Sequence, residues 1–324
     1  MSVQVKMGRD GNRITRRSML GLTGLSLISL VKRSINNAEA EKHGSLFFQG
    51  PHKRIIPVSG EKIPVVGLGT WRTFNVDPAG RAAEPLKEVL STLVNNSASV
   101  IDSSPMYGAS ETVVGDLSDA LKLRNKTFLA NKVWTSGKEA GIRQMEASFR
   151  KMRTATMDLM QVHNLVDAGT HIKTLREWKD KGKIRYWGIT HYIAAAYSEM
   201  IRIIKNEKPD FVQFNYNIYR REAETELLPY AKEKGVAVII NRPFEEGELF
   251  NKIQHIALPD WVKEYGIKSW AQFFVKFILS HSAVTCTIPG TSKANHLEEN
   301  LDAGSGPVPD EKARQKMISY FESV

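Results

Sequence analysis

Apolar residues in this chain recur in two alternating rhythms. Short apolar runs bounded by Gly, Pro or charged residues read as strands, and between them lie longer stretches with apolar positions three and four apart, which read as amphipathic helices. The pattern predicts strands at 63–69, 100–102, 128–132, 158–163, 184–190, 211–215, 236–240 and 284–288. It predicts helices at 84–95, 111–121, 142–152, 171–181, 193–205 and 224–234, and a longer helical insertion over 260–280. Gly182 and Gly235 stand where two of these helices should stop. A hairpin over 54–62, turning at Ser59-Gly60, precedes the first strand. Strand and helix alternating at this spacing predict an α/β fold whose parallel sheet closes into a barrel. An open doubly wound sheet is the alternative, but it would place a glycine-rich dinucleotide loop after an early strand, and the sequence has none.

The residues that follow the apolar runs are polar: Thr70, Asp102, Lys132, His163, Thr190, Gln213, Asn241 and then Pro289-Gly290. A barrel with its chemistry on the C-terminal face of the sheet requires such residues there. An aspartate closing a strand also serves as a helix cap, so Asp102 alone decides nothing. A carboxylate, an ammonium and an imidazole at three successive strand ends decide more.

Asp102 with Tyr107 in Asp102-Ser103-Ser104-Pro105-Met106-Tyr107-Gly108, Lys132 ending its strand and His163 ending the next resemble the catalytic tetrad of the aldo-keto reductases. The resemblance runs from about Arg54 to the C-terminus. It implies a (β/α)8 TIM barrel with an N-terminal β-hairpin, NADP(H) as cofactor, and reduction of a small carbonyl substrate with Tyr107 as general acid. The same roles follow from the residues themselves. A carbonyl oxygen that gains charge needs a proton, and a free tyrosine, with a pKa of about 10, is a poor donor at neutral pH. Lys132 beside Tyr107 would favour the phenolate, Asp102 would hold Lys132, and His163 would donate a hydrogen bond to the substrate oxygen. Trp71, Trp134, Tyr107 and His163 are expected to wall the substrate pocket. No metal-ligand spacing occurs among the histidines, so no metal is expected.

On the cofactor side the resemblance implies that Thr70, Trp71 and Asp102 border the nicotinamide and that Thr190, His191 and Gln213 hold its carboxamide. His191 replaces the usual asparagine. The family commonly ends the seventh strand on an aromatic residue that stacks on the nicotinamide; this chain reads Asn241-Arg242-Pro243-Phe244, and Arg242 could meet the pyrophosphate instead. Gly290, Thr291, Ser292, Lys293, His296, Glu299 and Asn300 resemble the adenosine-phosphate end, at a helix N-terminus that favours anions. Lys293 and His296 suit a 2′-phosphate and favour NADP over NAD. Few residues follow Asn300, which leaves little room for a long substrate loop and implies an open pocket.

The composition is that of a globular protein, with 42% hydrophobic and 25% charged residues. Half of the net charge of +10 sits in residues 1–40, and no basic stripe interleaved with aromatics remains for nucleic acid. Arg16-Arg17 precede an apolar segment over 20–31, and Ala38-Glu39-Ala40 follows. That order predicts a twin-arginine signal peptide over 1–40, a linker over 41–53 and the barrel over 54–324, exported folded to the periplasm by the twin-arginine machinery. The apolar segment is too short for a stable membrane span. A disordered basic tail is the alternative. The single cysteine, Cys286, allows no intrachain disulfide and reads as a buried strand residue. Export leaves a second functional reading open, a nicotinamide-binding sensor that turns over once or not at all, because reductant is scarce outside the cytoplasm.

Overall fold

A computed structural model describes residues 52–324. The export signal expected over 1–40 lies outside the described residues.

Eight parallel strands form the centre: β3 (Leu68–Gly69), β4 (Val100–Asp102), β5 (Phe128–Val133), β6 (Met157–His163), β7 (Ile184–Thr190), β8 (Phe211–Asn215), β9 (Ala237–Asn241) and β10 (Cys286–Thr287). Each pairs in parallel with the next, and the last returns to the first through bridges Val66–Thr287 and Gly69–Gly290. The sheet is therefore a closed barrel, which decides against the open doubly wound alternative. Gly69 permits the closure, since a Cβ there would lie 2.7 Å from the Ile288 carbonyl oxygen.

The period-two alternation of strands gives the barrel interior a gradient of polarity. Toward the floor the inward positions are Val100, Phe128, Leu159, Tyr186, Phe211 and Ala237, packed as one cluster with Ile56 and Ile63. Two to four residues further along the same faces come Asp102, Lys132, His163, Thr190 and Gln213. The outward positions, among them Ile101, Leu129, Met160, Ile189 and Val212, pack with the helices in a second cluster. Burial of that layer at roughly 25 cal/mol per Å² supplies most of the drive to fold.

The hairpin is β1 (Lys53–Ile55) against β2 (Lys62–Pro64), antiparallel, with Gly60 at φ +76° in its turn. Its Ile56 and Ile63 plug the floor. Pairing with β1 takes up Ile63 and Pro64, so the first barrel strand is shorter than the expected 63–69. Arg54 sits beneath, its guanidinium donating to the carbonyls of Leu279, His281 and Val284.

Around the sheet run α1 (Glu84–Asn95), α2 (Ser110–Ala120), α3 (Lys138–Lys151), α4 (Ala168–Asp180), α5 (Tyr197–Glu207), α6 (Leu227–Glu233), α7 (Glu248–Lys252), α8 (Trp270–Ser280), α9 (Ala294–Asp302) and α10 (Glu311–Glu322). The insertion expected as one helix over 260–280 is divided: a 3-10 turn Asp260–Tyr265 ends at Gly266 (φ +69°), and Ser269 then caps α8 by accepting from Gln272 N–H. The helix α10 has no counterpart in the sequence reading. Its Arg314 donates to the Tyr216 hydroxyl (2.6 Å) and pairs with Glu224, fastening the C-terminus to the barrel. Cys286 is a free, buried thiol in β10, as its apolar run implied. Among the described residues no helix is long and apolar enough to cross a membrane, and no cluster of His, Cys, Asp and Glu could hold a metal ion.

Candidate active site

The polar upper end of the barrel interior is a connected network. Lys132, fully buried, donates through Nζ to Asp102 Oδ1 (2.5 Å) and to the Ser103 carbonyl (2.8 Å). Gln213 Nε2 donates to Asp102 Oδ2 (3.1 Å), and Thr190 Oγ1 donates to Gln213 Oε1 (3.1 Å). Thr70 Oγ1 donates to the Asp102 carbonyl (2.9 Å). Both oxygens of the buried carboxylate are thus engaged, which a charge in such a place requires.

Tyr107 reaches this network from the loop after β4. Its backbone N–H donates to the Ser104 carbonyl (3.0 Å), and Gly108 beside it takes φ +63°. A Cβ at Gly108 would fall 2.1 Å from Asn75 Oδ1, which itself accepts from Ala109 N–H. That fit fixes the turn and brings the Tyr107 ring over Lys132, with Nζ 5.0 Å from the ring centroid. The His163 ring stands edge-on to it at 5.8 Å. Asp102, Tyr107, Lys132 and His163 therefore come together as the sequence predicts.

Their protonation follows from burial and charge. Burial pulls the Lys132 ammonium toward neutrality, but Asp102 and Tyr107 outweigh it and hold the pKa above the ordinary lysine value. Burial raises the Tyr107 pKa and the Lys132 charge lowers it; burial wins. The lowering expected from the sequence is present as a contribution and is outweighed, so Tyr107 stays a neutral phenol with its proton in place. His163 is pushed down to about 2 by burial and then by the charges of Lys132 and His191, so its imidazole is neutral. Its Nδ1 lies 2.9 Å from Ser104 Oγ.

Above the network opens a cavity of about 640 Å³. Twelve predicted residues line it: Thr70, Trp71, Asp102, Tyr107, His163, Thr190, Gln213, Asn241, Arg242, Pro243, Phe244 and Gly290. Asn241 Oδ1 is buried with no hydrogen-bond partner. Trp134 stands exposed at the rim, its ring 6.4 Å from that of His163. His191 is outside the wall and turned to its own loop, with Nδ1 accepting from the backbone N–H groups of Tyr192 and Ile193. Thr291 Oγ1 accepts from Lys293 N–H at the start of α9, where Ser292, Lys293 and His296 are exposed. Neither Lys293 nor His296 has an ion-pair partner among the described residues, so the Lys293 ammonium and the His296 ring are both available to an anion. Glu299 and Asn300 lie further along α9, Asn300 with a buried, unpartnered Oδ1.

The sequence did not reveal an ion-paired strap in the cavity wall. Arg72 pairs with Glu246 (2.7 Å), Glu246 with Arg242, and the Arg242 guanidinium lies 4.9 Å from the Tyr192 ring centroid. Arg72, Arg242, Glu245 and Glu246 all take left-handed φ between +45° and +62°. Non-glycine residues adopt that region at a cost, and clusters of them mark functional loops. Arg72 follows Trp71 directly, which is a local hint; its pairing with a residue in a distant loop has no sequence signature. Asn164 (φ +51°) and Phe250 also line the cavity unforeseen.

The model for the "Aldo/keto reductase family" matches residues 65–316. The chain is 28% identical over 256 residues to the methylglyoxal reductase YeaE of Escherichia coli (strain K12), covering 76% of this chain and 88% of that one. It is 23% identical over 290 residues to the NADP-dependent D-sorbitol-6-phosphate dehydrogenase of Malus domestica, covering 78% and 89%. In fold it is similar to an aldo-keto reductase from Klebsiella pneumoniae solved in complex with NADPH, at TM-score 0.70 and 24% identity over 83% of this chain and 95% of that one.

Proposed function

This chain belongs to the aldo/keto reductase family, and on that premise we propose that it reduces an aldehyde or ketone to an alcohol with NADPH, Tyr107 acting as the acid. The observation that carries the proposal is the convergence of Asp102, Tyr107, Lys132 and His163 at one end of the barrel beneath a cavity of about 640 Å³. The residues around that cavity fit a nicotinamide dinucleotide. The unpartnered Asn241 Oδ1 offers an acceptor for a carboxamide N–H, Thr190 and Gln213 line the same cavity, and the exposed Lys293 ammonium and His296 ring offer donors for a phosphate. When bound, the cofactor supplies hydride to the carbonyl carbon.

The protein's own part is proton and charge. His163 donates a hydrogen bond to the carbonyl oxygen and orients it; one such donor contributes roughly 3 kcal/mol. Tyr107 gives its proton to the same oxygen as charge develops there. Lys132 then stabilises the phenolate, and Asp102 keeps the ammonium in place.

Fluorescence titration of the protein with NADPH, followed by 4-nitrobenzaldehyde, tests the reading. Continuous oxidation of excess NADPH is expected. A single turnover followed by a stall would favour the sensor reading, and no binding at all would overturn both. The ion-paired strap Arg72–Glu246–Arg242 lines the same cavity, so Glu246→Ala should raise the NADPH dissociation rate roughly tenfold, at about 1.4 kcal/mol per decade. Stopped-flow displacement reads this, and an unchanged rate would remove the strap from cofactor retention.

Export by the twin-arginine route is part of the proposal, supported by Arg16-Arg17, the apolar segment and Ala38-Glu39-Ala40. A reporter fused to residues 1–45 that stays in the cytoplasm with both arginines intact would sink it.

A further inference from the structure

Ser104 sits two residues after Asp102 in the loop that carries Tyr107, and no exposed surface remains to it. Its Oγ has two neighbours. The backbone N–H of Met106 donates to it at 3.3 Å, and His163 Nδ1 lies 2.9 Å away. Among the described residues the hydroxyl proton has one acceptor within reach, the imidazole nitrogen. Were Nδ1 to carry a proton and donate to Oγ, the hydroxyl proton would be buried without a partner, which native structures avoid.

We propose that Ser104 is a positioning residue that donates its hydroxyl proton to His163 Nδ1 and so fixes the imidazole as the tautomer protonated on Nε2. Among the described residues Nε2 has no hydrogen-bond partner, and His163 lines the cavity, so the N–H faces the space where a substrate oxygen would bind. The opposite tautomer would present a lone pair to the lone pairs of that oxygen, replacing attraction by repulsion. The doubly protonated ring is disfavoured by burial and by Lys132, so the choice lies between two neutral tautomers, and Ser104 makes it. The proton donor that orients the carbonyl is thus set by a side chain that never touches substrate. This inference rests on the reductase reading for its rate consequence and on geometry alone for the tautomer.

The test uses full-length protein labelled with 15N at histidine, with His163→Gln identifying the His163 resonances. The parent should show Nε2 protonated and Nδ1 as acceptor. Ser104→Ala should shift His163 to a mixture of tautomers and lower kcat roughly tenfold, part of what one oriented donor contributes, with NADPH affinity unchanged. Ser104→Thr, which keeps the hydroxyl, should recover both the spectrum and the rate. An Nε2-protonated spectrum in Ser104→Ala overturns the proposal, whatever the rate does. A parent protein that reduces no aldehyde would overturn the reductase reading instead, and the spectra would still decide the role of Ser104.

Discussion

Replacing Tyr107 by phenylalanine should lower kcat about a thousandfold, within the range general acid catalysis spans, and leave NADPH affinity within about twofold. The ring edge against His163 and the packing over Lys132 survive the change, since both are made by carbon atoms. What goes is the hydroxyl that, on the proposed mechanism, gives its proton to the carbonyl oxygen. Burial keeps that hydroxyl protonated in the resting site, so the proposed acid carries its proton before any reaction begins. Single-turnover measurement of NADPH oxidation, with affinity read separately by fluorescence, separates chemistry from binding. Retained turnover would remove Tyr107 as the acid.

Lys132→Met should destabilise the barrel by about 3–5 kcal/mol and abolish turnover as well. The substitution nearly conserves volume and leaves the Asp102 carboxylate buried without its cation, with Gln213 Nε2 as the side-chain donor that remains. Adding Asp102→Asn removes the stranded charge, so the double variant should regain most of the stability and none of the activity. The shift of the urea midpoint at constant slope measures the first effect. An unchanged midpoint in Lys132→Met would mean that the pair is not held as ions.

The barrel was legible because period-two strands and helices with apolar positions three and four apart leave distinct marks, and because Gly182 and Gly235 punctuate them. The tetrad was legible because each member ends a strand or follows one closely, so chain order alone places it on one rim. Boundaries were read less well where two pairings compete for the same residues. Ile63 and Pro64 are apolar enough to start a barrel strand, yet the hairpin uses them. The strap Arg72–Glu246–Arg242 was not legible, because charge-to-charge contacts between loops leave no periodicity. The local bonding of His191 was not legible either: its Nδ1 accepts from two backbone N–H groups of its own loop, a contact no spacing in the sequence announces. The pKa of Tyr107 was misjudged for a different reason: a sequence shows which charge is near but not how much water is excluded.

The buried thiol of Cys286 has a use that concerns neither catalysis nor binding. It lies in the wall where the last strand meets the first, so a reagent in solution reaches it when that seam opens. In an oxidising compartment the lone sulfur would stay reduced for as long as the seam holds, and no disulfide would be needed to keep it shut. Its labelling rate would then be a clock for opening of the barrel, running inside the native protein without any engineered probe.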